Sequence, residues 1–536
     1  MKYTAIILVL VLLGCAGTNQ EKALSIDEAM SSINAKEYKN HVAYLSSDEL
    51  AGRYPGKAGY DTAAAYIEQL VKDMGLQPGG SNNTYRQPIE FTEATIKPAA
   101  ITAKLDGKPL EHGKDFLMGA DHEDVSFSGD IVFIGSGIDA PELGYSDLEN
   151  VDVAGKVVMY FARSTPEHFG LIERAVHVNL ARDRLMKMGA VGTISIIPPE
   201  MLSSRPWPLI TWLVSRPSMQ YVAESDVPYR GGIVVSYKTA ASWFEKDGRK
   251  LSDALKSLKE GTPTSYETSL TLEVNASSDR KRIVSDNVAA IKVGSDPVLK
   301  DEFLVITAHL DHDGISNPVE NDSIYNGTID NASGSAALLV LADKFSRMDT
   351  KRSIMFLWVT AEERGLLGSE YFAKFPTIDA SKIVANQNMD GIVSLIVGTR
   401  DMLAYGYEHS NLSQSVDYAL EKLGMERSED TRPEETFFVR SDQYSFIAEG
   451  IPAIWILGGN TALADSVDAG AELDKWLVTR YHRPNDDMDQ PLDFEAATTE
   501  LKCNLLVADH IVNQIEAVQW NKDGFLYKTF AENKDE

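Results

Sequence analysis

Mainly apolar runs alternate with amphipathic segments through the C-terminal half of the chain. The runs FLVITAH, SIMFLWV, KIVANQN and IPAIWILGG have the length of strands, and SGSAALLVLADKFSRM, between the first two, has helical spacing. Strands that are apolar on both faces occur in sheets that helices cover on both sides, and such sheets are mainly parallel. The pattern predicts an α/β fold with a mixed, mostly parallel central sheet and helices on both faces.

The N-terminal half of the chain has a different pattern of apolar and polar residues. The segment GYDTAAAYIEQLVKDMGLQPGG has apolar residues at helical spacing, and Gly75 is placed to end that helix. From about 118 to 265, short apolar runs such as GDIVFIG and GKVVMYFA are separated by Gly, Pro and Asp, which indicates β-rich structure. We therefore predict one domain built from 26–117 and 266–525, a β-rich domain inserted at 118–265, and a polar tail at 526–536.

The first residues, MKYTAIILVLVLLGC, are typical of a secretion signal. One lysine precedes an apolar stretch of about ten residues, which is too short to be a stable membrane anchor. The end of this stretch, LLGC, resembles a bacterial lipobox, in which the chain is cut before the cysteine and diacylglycerol is attached to its sulfur. We predict a signal peptide at 1–15, a lipid on Cys15 and a flexible tether at 16–25. An ordinary cleaved signal peptide is the alternative.

The lipobox implies an extracytoplasmic protein that is held on a bacterial membrane by its lipid. Ala16 stands where an aspartate often marks retention in the inner membrane, so the outer membrane is favoured if the source has one. Cys503 is the only other cysteine, which excludes a disulfide framework and a cysteine-based metal site.

Net charge limits the class of partner. The chain of 536 residues is long enough for two domains, and it carries 51 basic and 79 acidic residues, a net charge of −28. Phosphate backbones are bound by clustered Lys and Arg, so this balance argues against nucleic acid as a partner.

Acids and a histidine follow three of the apolar runs. His309 ends the first run, with Asp311 two residues later; Glu362 and Glu363 follow the second, and Asp390 follows the third. Ligands of open α/β sheets bind beyond the carboxyl ends of the strands. One such motif alone is more often a surface histidine or a solvated helix face, but their recurrence at successive strand ends indicates a site.

Two further candidates lie in loops. Asp330 occurs in NGTIDNASGSAA, where a helix N-cap is the ordinary alternative, and His482 occurs in RYHRPNDD. Two histidines and three carboxylates suit zinc. Five ligands are too many for one catalytic zinc but enough for two Zn²⁺ ions that share a bridging carboxylate. Such a cluster has a charge of about +1, which a bound hydroxide would neutralise.

In this order, the motifs AHLDH, NGTIDNASGSAALL, TAEERGLLGSEYF, NMDG, RSDQYSF, GIPAI and YHRPND resemble those of the co-catalytic di-zinc peptidases. This family includes bacterial secreted aminopeptidases and the glutamate carboxypeptidases. The insert, with GYSDLENVDVAGKVVMYFAR, is similar to the protease-associated domain of many members. The resemblance implies a three-layer zinc-peptidase fold, two zinc ions, peptide substrates and hydrolysis by a zinc-bridging hydroxide.

The resemblance also implies a metal ligand set. His309 and Asp390 would hold one zinc, Glu363 and His482 would hold the other, and Asp330 would bridge them.

Further roles carry over from the same resemblance. Glu362 would be the general base, and Asp311 would fix the tautomer and orientation of His309. Tyr481 would hydrogen-bond the developing oxyanion, with a packing role as the alternative. The family also has a cis peptide bond at the position of Asp330–Asn331.

The chain departs from the family at one motif. Many bacterial members have Ser-Asp-His where this chain has Ser441, Asp442 and Gln443, which puts one substrate-pocket contact in doubt. The neighbouring Arg440 would pair with a substrate carboxylate or with a structural acid, and we favour the structural acid.

Three functions remain open at this point. The leading hypothesis is a zinc aminopeptidase. A carboxypeptidase would need a cationic pocket for the terminal carboxylate of the substrate, whereas an aminopeptidase needs acids near the free amine. A metal-free, receptor-like binding protein is a third hypothesis, and the presence of all five ligands and the base argues against it.

Overall fold

The computed structural model of the chain describes residues 23–204, 206–222 and 231–532. The predicted signal peptide, the lipid-bearing Cys15 and most of the predicted tether lie outside the described residues. In the described ranges, no helix is both long enough and apolar enough to span a bilayer.

The helices of the described part are numbered in chain order. They are α1 Ile26–Ser31, α2 Ala35–Leu45, α3 Ala58–Asp73, α4 Leu171–Lys187, α5 Met201–Ser204, α6 Trp207–Ser215, α7 Tyr237–Lys246, α8 Leu251–Lys259, α9 Gly334–Ser346, α10 Leu367–Lys374, α11 Ser413–Leu423, α12 Gln443–Ala448, α13 Ala469–Thr479, α14 Phe494–Asn513 and α15 Phe525–Phe530.

The strands are numbered in the same way. They are β1 Gln77–Pro78, β2 Arg86–Ile96, β3 Thr102–Leu105, β4 Lys108–Leu110, β5 Val125–Ile134, β6 Asp139–Ala140, β7 Tyr145–Ser146, β8 Val157–Phe161, β9 Gly192–Ile197, β10 Ser218–Tyr221, β11 Gly232–Ser236, β12 Ser265–Ala276, β13 Ser278–Lys292, β14 Phe303–His309, β15 Gly314–Val319, β16 Asp322–Tyr325, β17 Ser353–Val359, β18 Ile383–Asn388, β19 Asp401–Tyr405, β20 Glu426–Ser428 and β21 Ala453–Gly458.

The large sheet has ten strands in the order β10-β2-β13-β17-β14-β18-β21-β19-β20, with β1 paired to β13. Its centre is parallel, because β14 pairs in parallel with both β17 and β18, and β18 pairs in parallel with β21. Antiparallel pairs flank this centre. The sheet is therefore mixed, and its parallel part is the part that orients the predicted site.

Successive side chains of the central strands enter different hydrophobic clusters. In β17, Phe356 and Trp358 pack with α2, α3, α9 and α14, whereas Leu357 and Val359 pack with α10 and α12. This alternation requires helices on both faces of the sheet. The predicted α/β architecture is confirmed.

A second sheet of seven strands, in the order β11-β9-β8-β5-β12-β3-β4, forms the separate β-rich unit. Its strands run from Thr102 to Ala276, so it begins before and ends after the predicted insert at 118–265. Only one residue separates β12 from β13, which belongs to the large sheet. No change of composition marks that boundary, because one nearly continuous extended segment passes between the two sheets.

The insert also contributes to the large sheet. Its strand β10 pairs with β2 in antiparallel register, Ser218 opposite Ala94 and Tyr221 opposite Phe91. Helix α6 and its C-terminal Arg216 are thereby held against the peptidase-like part of the chain.

Both predicted terminal segments need correction. Leu24, assigned to the tether at 16–25, donates its backbone N–H to Arg347 and forms a β-bridge with Met348. The tail at 526–536 was predicted to be polar and solvated, but α15 packs Leu526 into a cluster that includes Val176 and Trp455. The apolar positions of FLYKTF span too few turns for the periodicity to reveal a buried helix.

The packing of α15 gives a stability prediction. Leu526 is 1% exposed, so Leu526→Ala should lower the free energy of unfolding by about 2–5 kcal/mol through lost burial and a residual cavity. Urea unfolding monitored by circular dichroism measures the change. Ile515→Ala is the control, because Ile515 is 78% exposed and should change stability by less than about 0.5 kcal/mol. Equal effects of the two substitutions would show that α15 does not contribute to the core.

Candidate metal centre

The carboxyl ends of three parallel strands place the predicted residues at one edge of the sheet. His309, the last residue of β14, lies opposite Val359 of β17, and Thr307 lies opposite Asn388 of β18. The chain leaves β17 into a short turn that contains Glu362 and Glu363, and it leaves β18 into Asp390. Neighbouring strand ends thus bring residues that are far apart in sequence to a single place.

The carboxylate of Asp330 lies between two histidines. His309 Nε2 is 3.2 Å from Asp330 Oδ1 and 3.1 Å from Asp390 Oδ1. His482 Nε2 is 3.1 Å from Asp330 Oδ2 and 3.3 Å from Glu363 Oε2. The two oxygens of Asp330 therefore face different donor groups, as a bridging carboxylate would.

The structure brings together all five residues that were predicted as metal ligands. They form two groups that share Asp330: His309 with Asp390, and Glu363 with His482. Imidazole nitrogens and carboxylate oxygens are the donors that zinc takes in catalytic sites, so the residues fit a pair of zinc ions.

Two further potential donors were missed. Asp313 forms a donor group with Glu363 and His482. His312 is fully buried, and its Nδ1 lies 2.7 Å from Glu363 Oε1 without meeting hydrogen-bond geometry. The donor atoms of His312, Asp330 and Glu363 lie within 4.8 Å of one another. His312 either orients Glu363 or adds a ligand to the second group. The second histidine of AHLDH was the available signal.

Asp311 has a different partner from the one predicted. Its carboxylate accepts hydrogen bonds from the backbone N–H groups of Glu362, at 3.0 Å, and Glu363, at 3.3 Å. The nearest carboxylate oxygen is 4.0 Å from His309 Nδ1, which instead lies 3.2 Å from the backbone carbonyl oxygen of Asp311. The side chain of Asp311 thus fixes the Glu362–Glu363 turn, and its main chain orients His309.

The two glutamates of this turn face different surroundings. Glu363 belongs to the donor cluster, whereas Glu362 is in none of the donor groups among the described residues and lines an adjoining cavity. Burial raises the pKa of Glu362 above that of an ordinary glutamate, and neighbouring Glu363 adds to this increase. A carboxylate with a raised pKa accepts a proton readily.

The loop that carries Asp330 is held by side chains that sequence reasoning did not identify. The peptide bond Asp330–Asn331 is cis, as the resemblance implied. The carboxylate of Asp486 accepts hydrogen bonds from the backbone N–H groups of Ile329 and Asp330, at 3.1 to 3.2 Å. Asp486 lies in the loop of His482, so a single acid ties these two parts of the site together.

Asn331 connects the same loop to the turn after β18. Its Nδ2 donates to the carbonyl oxygen of Met389, and its Oδ1 accepts from the N–H of Gly391, at 3.0 and 2.9 Å. These bonds flank Asp390 on both sides. The positions of Asp330 and Asp390 are therefore coupled through one buried amide.

Arg53 is fully buried beneath the acids. Its guanidinium donates to the backbone carbonyl oxygens of Leu310, Asn326 and Gly327. Burial lowers its pKa to about 10, and the surrounding acids oppose that change, so the group stays charged near neutral pH. Arg53 thereby supplies a positive charge and fixes the two loops that carry His309 and Asp330.

Residues of the divergent Ser-Asp-Gln motif hold Asp390 in place through hydrogen bonds. Ser441 donates a hydrogen bond of 2.5 Å to Asp390 Oδ2, and Asn388 donates to both Ser441 and Gln443. Gln443 is fully buried and does not line the adjoining cavity within the described residues. Arg440 pairs with Glu435 at 3.1 Å, the structural acid that we favoured.

An apolar cavity of about 120 Å³ adjoins the cluster. Its polar lining residues include Asp330, Glu362, Asp390, Arg432, Arg440, Ser441, Asn460 and Tyr481, and its apolar lining residues include Val393, Ile396, Leu403, Trp455, Leu457, Leu473, Trp476 and Leu477. An engineered cavity of about 150 Å³ holds one benzene molecule. The cavity therefore has room for about one side chain.

Tyr481 fits both the oxyanion-binding role and the packing role that the sequence left open. Its ring packs on Trp476 and His482, with centroid distances of 5.7 and 4.0 Å. Burial raises the pKa of its hydroxyl, which stays protonated and can donate a hydrogen bond into the cavity.

The parallel strand edge and the shared carboxylate form a candidate site for two metal ions in an α/β fold. Residues 287–505 match the profile of Peptidase family M28. The matched range contains all five donor residues and Glu362.

Two curated relatives carry leucine aminopeptidase names. The chain is 28% identical over 200 residues to "Probable leucine aminopeptidase 2" of Aspergillus fumigatus, covering 36% of this chain and 40% of that protein. It is 24% identical over 267 residues to "Leucine aminopeptidase 2" of Arthroderma otae, covering 48% and 49%. The chain thus spans less than half the length of each of these relatives.

A solved structure shares the fold along almost the whole chain. The aminopeptidase from Aneurinibacillus sp. strain AM-1 superposes with a TM-score of 0.52 and 19% identity, over 92% of this chain and 99% of that chain. At this identity the likeness concerns the fold alone.

The different positions of Glu362 and Glu363 predict different effects on metal binding. Glu363→Ala removes a donor, so the purified protein should lose one of two zinc ions per chain. Glu362→Ala is the matched control, because it removes an equal carboxylate from the neighbouring position and should keep both ions. Zinc analysis by mass spectrometry measures the content of each variant. Full, tight occupancy in Glu363→Ala would show that the two assignments are reversed.

Proposed function

We propose that this protein is a zinc-dependent exopeptidase, and specifically an aminopeptidase that releases N-terminal residues from peptides. One observation carries the proposal: Asp330 presents one oxygen to His309 and the other to His482, while Glu362 lies beside the cluster without belonging to it. This is the arrangement of two metal positions with a free base. The match of residues 287–505 to Peptidase family M28 and the names of the relatives support the same activity.

Two zinc ions, when bound, would polarise the scissile carbonyl and activate a water molecule near neutral pH. They would be held by His309 and Asp390 on one side, by Glu363 and His482 on the other, and by Asp330 between them.

Glu362 would carry the proton. Its carboxylate would accept a proton from the attacking water on one oxygen and pass it to the nitrogen of the leaving amine. Its position in the cavity wall places it next to the substrate. Tyr481 would donate its hydroxyl hydrogen to the carbonyl oxygen as negative charge develops there.

The apolar cavity supports removal of one residue at a time. It accommodates about one side chain, and the carboxylate of Glu362 in its wall would attract the ammonium group of a free N-terminus. Apolar side chains form most of the remaining wall, which favours a large apolar residue as the one released.

The two arginines that line this cavity do not offer a free cationic site. Arg432 pairs with Asp474 at 2.6 Å, and Arg440 pairs with Glu435 at 3.1 Å. A substrate carboxylate is therefore not the favoured occupant of this cavity, which argues against the carboxypeptidase alternative.

The activity is tested with short peptides that begin with leucine and differ only in whether the amine is free or acetylated. The free peptides should lose residues one by one from the N-terminus, a chelator should stop the reaction, and added zinc should restore it. Glu362→Gln, which keeps the size of the side chain, should lower turnover by about 100- to 10,000-fold. Mass spectrometry of the products measures each rate. Cleavage of acetylated peptides alone would overturn the proposal.

We also propose that the inserted unit is a protease-associated domain that limits substrate size. The proposal is supported by the motif likeness and by β10, which brings part of the insert to the edge of the large sheet beside the site. In this position the inserted unit would restrict access of large substrates to the site.

The N-terminal sequence supports a further proposal, that a lipid on Cys15 anchors the protein to a bacterial membrane outside the cytoplasm. In cells fed labelled palmitate, the wild-type protein should incorporate label, and Cys15→Ala should not. Cys503→Ala is the control, because it removes the only other cysteine and should keep the label. Label that persists in Cys15→Ala would favour the ordinary signal peptide.

A further inference from the structure

The two ring nitrogens of His482 face different groups. Nε2 is directed at the donor cluster, 3.1 Å from Asp330 Oδ2 and 3.3 Å from Glu363 Oε2, whereas Nδ1 lies 3.6 Å from Asp313 Oδ2. A histidine that ligates a metal through one nitrogen donates the N–H of the other to a nearby acceptor, and this bond fixes the tautomer and the ring orientation. Nε2 is therefore the ligand atom of His482, and Nδ1 requires an acceptor.

Asp313 has an oxygen that can be this acceptor. Its side chain is 3% exposed, and Oδ2 is buried without a hydrogen-bond partner among the residues that the structure describes. A buried acceptor left unpaired costs about 1–3 kcal/mol, so a donor at this place is favoured. The distance of 3.6 Å to Nδ1 of His482 is slightly long, and a shift of about 0.7 Å would bring the two atoms to hydrogen-bond distance.

Two arginines hold the other oxygen of Asp313. Arg216 and Arg364 both form an ion pair with Oδ1, and their side chains are 16% and 5% exposed. Each guanidinium also lies near an aromatic ring. The ring of Trp212 is 5.1 Å from Arg216, and the ring of Tyr54 is 4.9 Å from Arg364. Two guanidinium groups would repel a divalent cation, which argues against Asp313 as a direct metal ligand.

Arg216 is the member of this group that comes from the insert. It directly follows α6, and two residues later β10 begins and pairs with β2 of the large sheet. Arg364, in contrast, belongs to the turn that carries Glu362 and Glu363. Asp313 therefore connects the insert to the part of the chain that holds the metal donors.

We propose that Asp313 is a positioning residue for the metal ligand His482, and that the insert holds this ligand in place through Arg216. Asp313 would accept a hydrogen bond from Nδ1 and so direct Nε2 towards the metal position that Glu363 shares. The inserted unit would then contribute to metal affinity as well as to the access of substrates. The inference rests on the two zinc ions of the proposed function.

The first test measures zinc affinity. Asp313→Asn keeps the size of the side chain but removes the carboxylate, and it should weaken the binding of one of the two zinc ions by about 10- to 100-fold. Arg216→Gln is the milder variant, because Arg364 still pairs with Asp313 in it, and it should weaken the same ion by about tenfold. Competition with a chromophoric chelator at buffered free zinc measures both dissociation constants.

The direction of the change separates positioning from an effect of charge alone. The guanidinium of Arg216 repels zinc, so its loss would tighten zinc binding if only charge mattered. Arg216→Lys keeps a cation that can pair with Asp313 and should restore most of the affinity.

Arg282→Gln is the matched control for charge. It removes an equal charge from strand β13, where Arg282 is 57% exposed and pairs with Glu90 at 3.2 Å, and it should leave zinc affinity unchanged. Unchanged or tighter zinc binding in Arg216→Gln, or an equal loss in Arg282→Gln, would overturn the proposal.

Nuclear magnetic resonance observes the hydrogen bond directly. In zinc-loaded protein with ¹⁵N-labelled histidine, the Nδ1 proton of His482 should give a resonance that exchanges slowly with solvent, identified by its loss in His482→Gln. Asp313→Asn should abolish its slow exchange, and a rapidly exchanging Nδ1 proton in the wild-type protein would contradict the assignment.

Neither measurement requires peptide hydrolysis, so the two proposals can fail separately. Weaker zinc binding in Asp313→Asn and Arg216→Gln, in a protein that does not cleave leucine peptides, supports the positioning role and contradicts the proposed activity. Cleavage of these peptides with unchanged zinc affinity in both variants supports the activity and overturns the positioning role.

Discussion

Mutual repulsion of buried carboxylates is the constraint on which the rest of this structure depends. Asp311, Asp330, Glu362, Glu363 and Asp390 converge at one edge of the sheet, where each would be costly to bury as an isolated charge. The chain offsets part of that charge with Arg53 below and Arg364 beside the cluster, and with backbone N–H donors to Asp311. The remaining excess is what suits the site to a pair of divalent cations.

The supporting network explains how donors from distant parts of the chain are kept in place. Arg53 joins the loops of His309 and Asp330, Asp486 joins the loops of Asp330 and His482, and Asn331 joins the loops of Asp330 and Asp390. Every one of these links includes the loop of the shared carboxylate. The insert contributes a further contact, because its Arg216 forms an ion pair with Asp313 of the peptidase-like part. The metal centre is therefore bounded by an apolar cavity on one side and by the ion pairs of Arg216 and Arg364 with Asp313 on another.

Several features could be predicted because they depend on local sequence. The strands β14 and β17 are almost entirely apolar, which favours central positions in the sheet, and α3 ends two residues before the glycine predicted to end it. The donor residues were recognisable because they follow those strands. The boundaries of the insert and the burial of α15 were not predictable, because β12 runs almost directly into β13 and FLYKTF is too short for a clear period. The contact of Asp311 with His309 was also predicted wrongly, because it is made by the main-chain carbonyl oxygen, while the side chain accepts hydrogen bonds from Glu362 and Glu363. Sequence alone cannot distinguish side-chain from main-chain contacts of one residue.

By itself, the sequence determined the class of fold and the residues with metal-binding chemistry. It also indicated that the adjacent Glu362 and Glu363 have different roles. These features were accessible because hydrophobic periodicity and residue type are properties of short segments. Only the tertiary structure decided that the two oxygens of Asp330 face different histidines, that His312 lies against Glu363, and that Arg216 and Arg364 share Asp313. These contacts join positions that no local pattern relates. Their geometry follows from the order of strands in the sheet and from the packing of the insert against its edge.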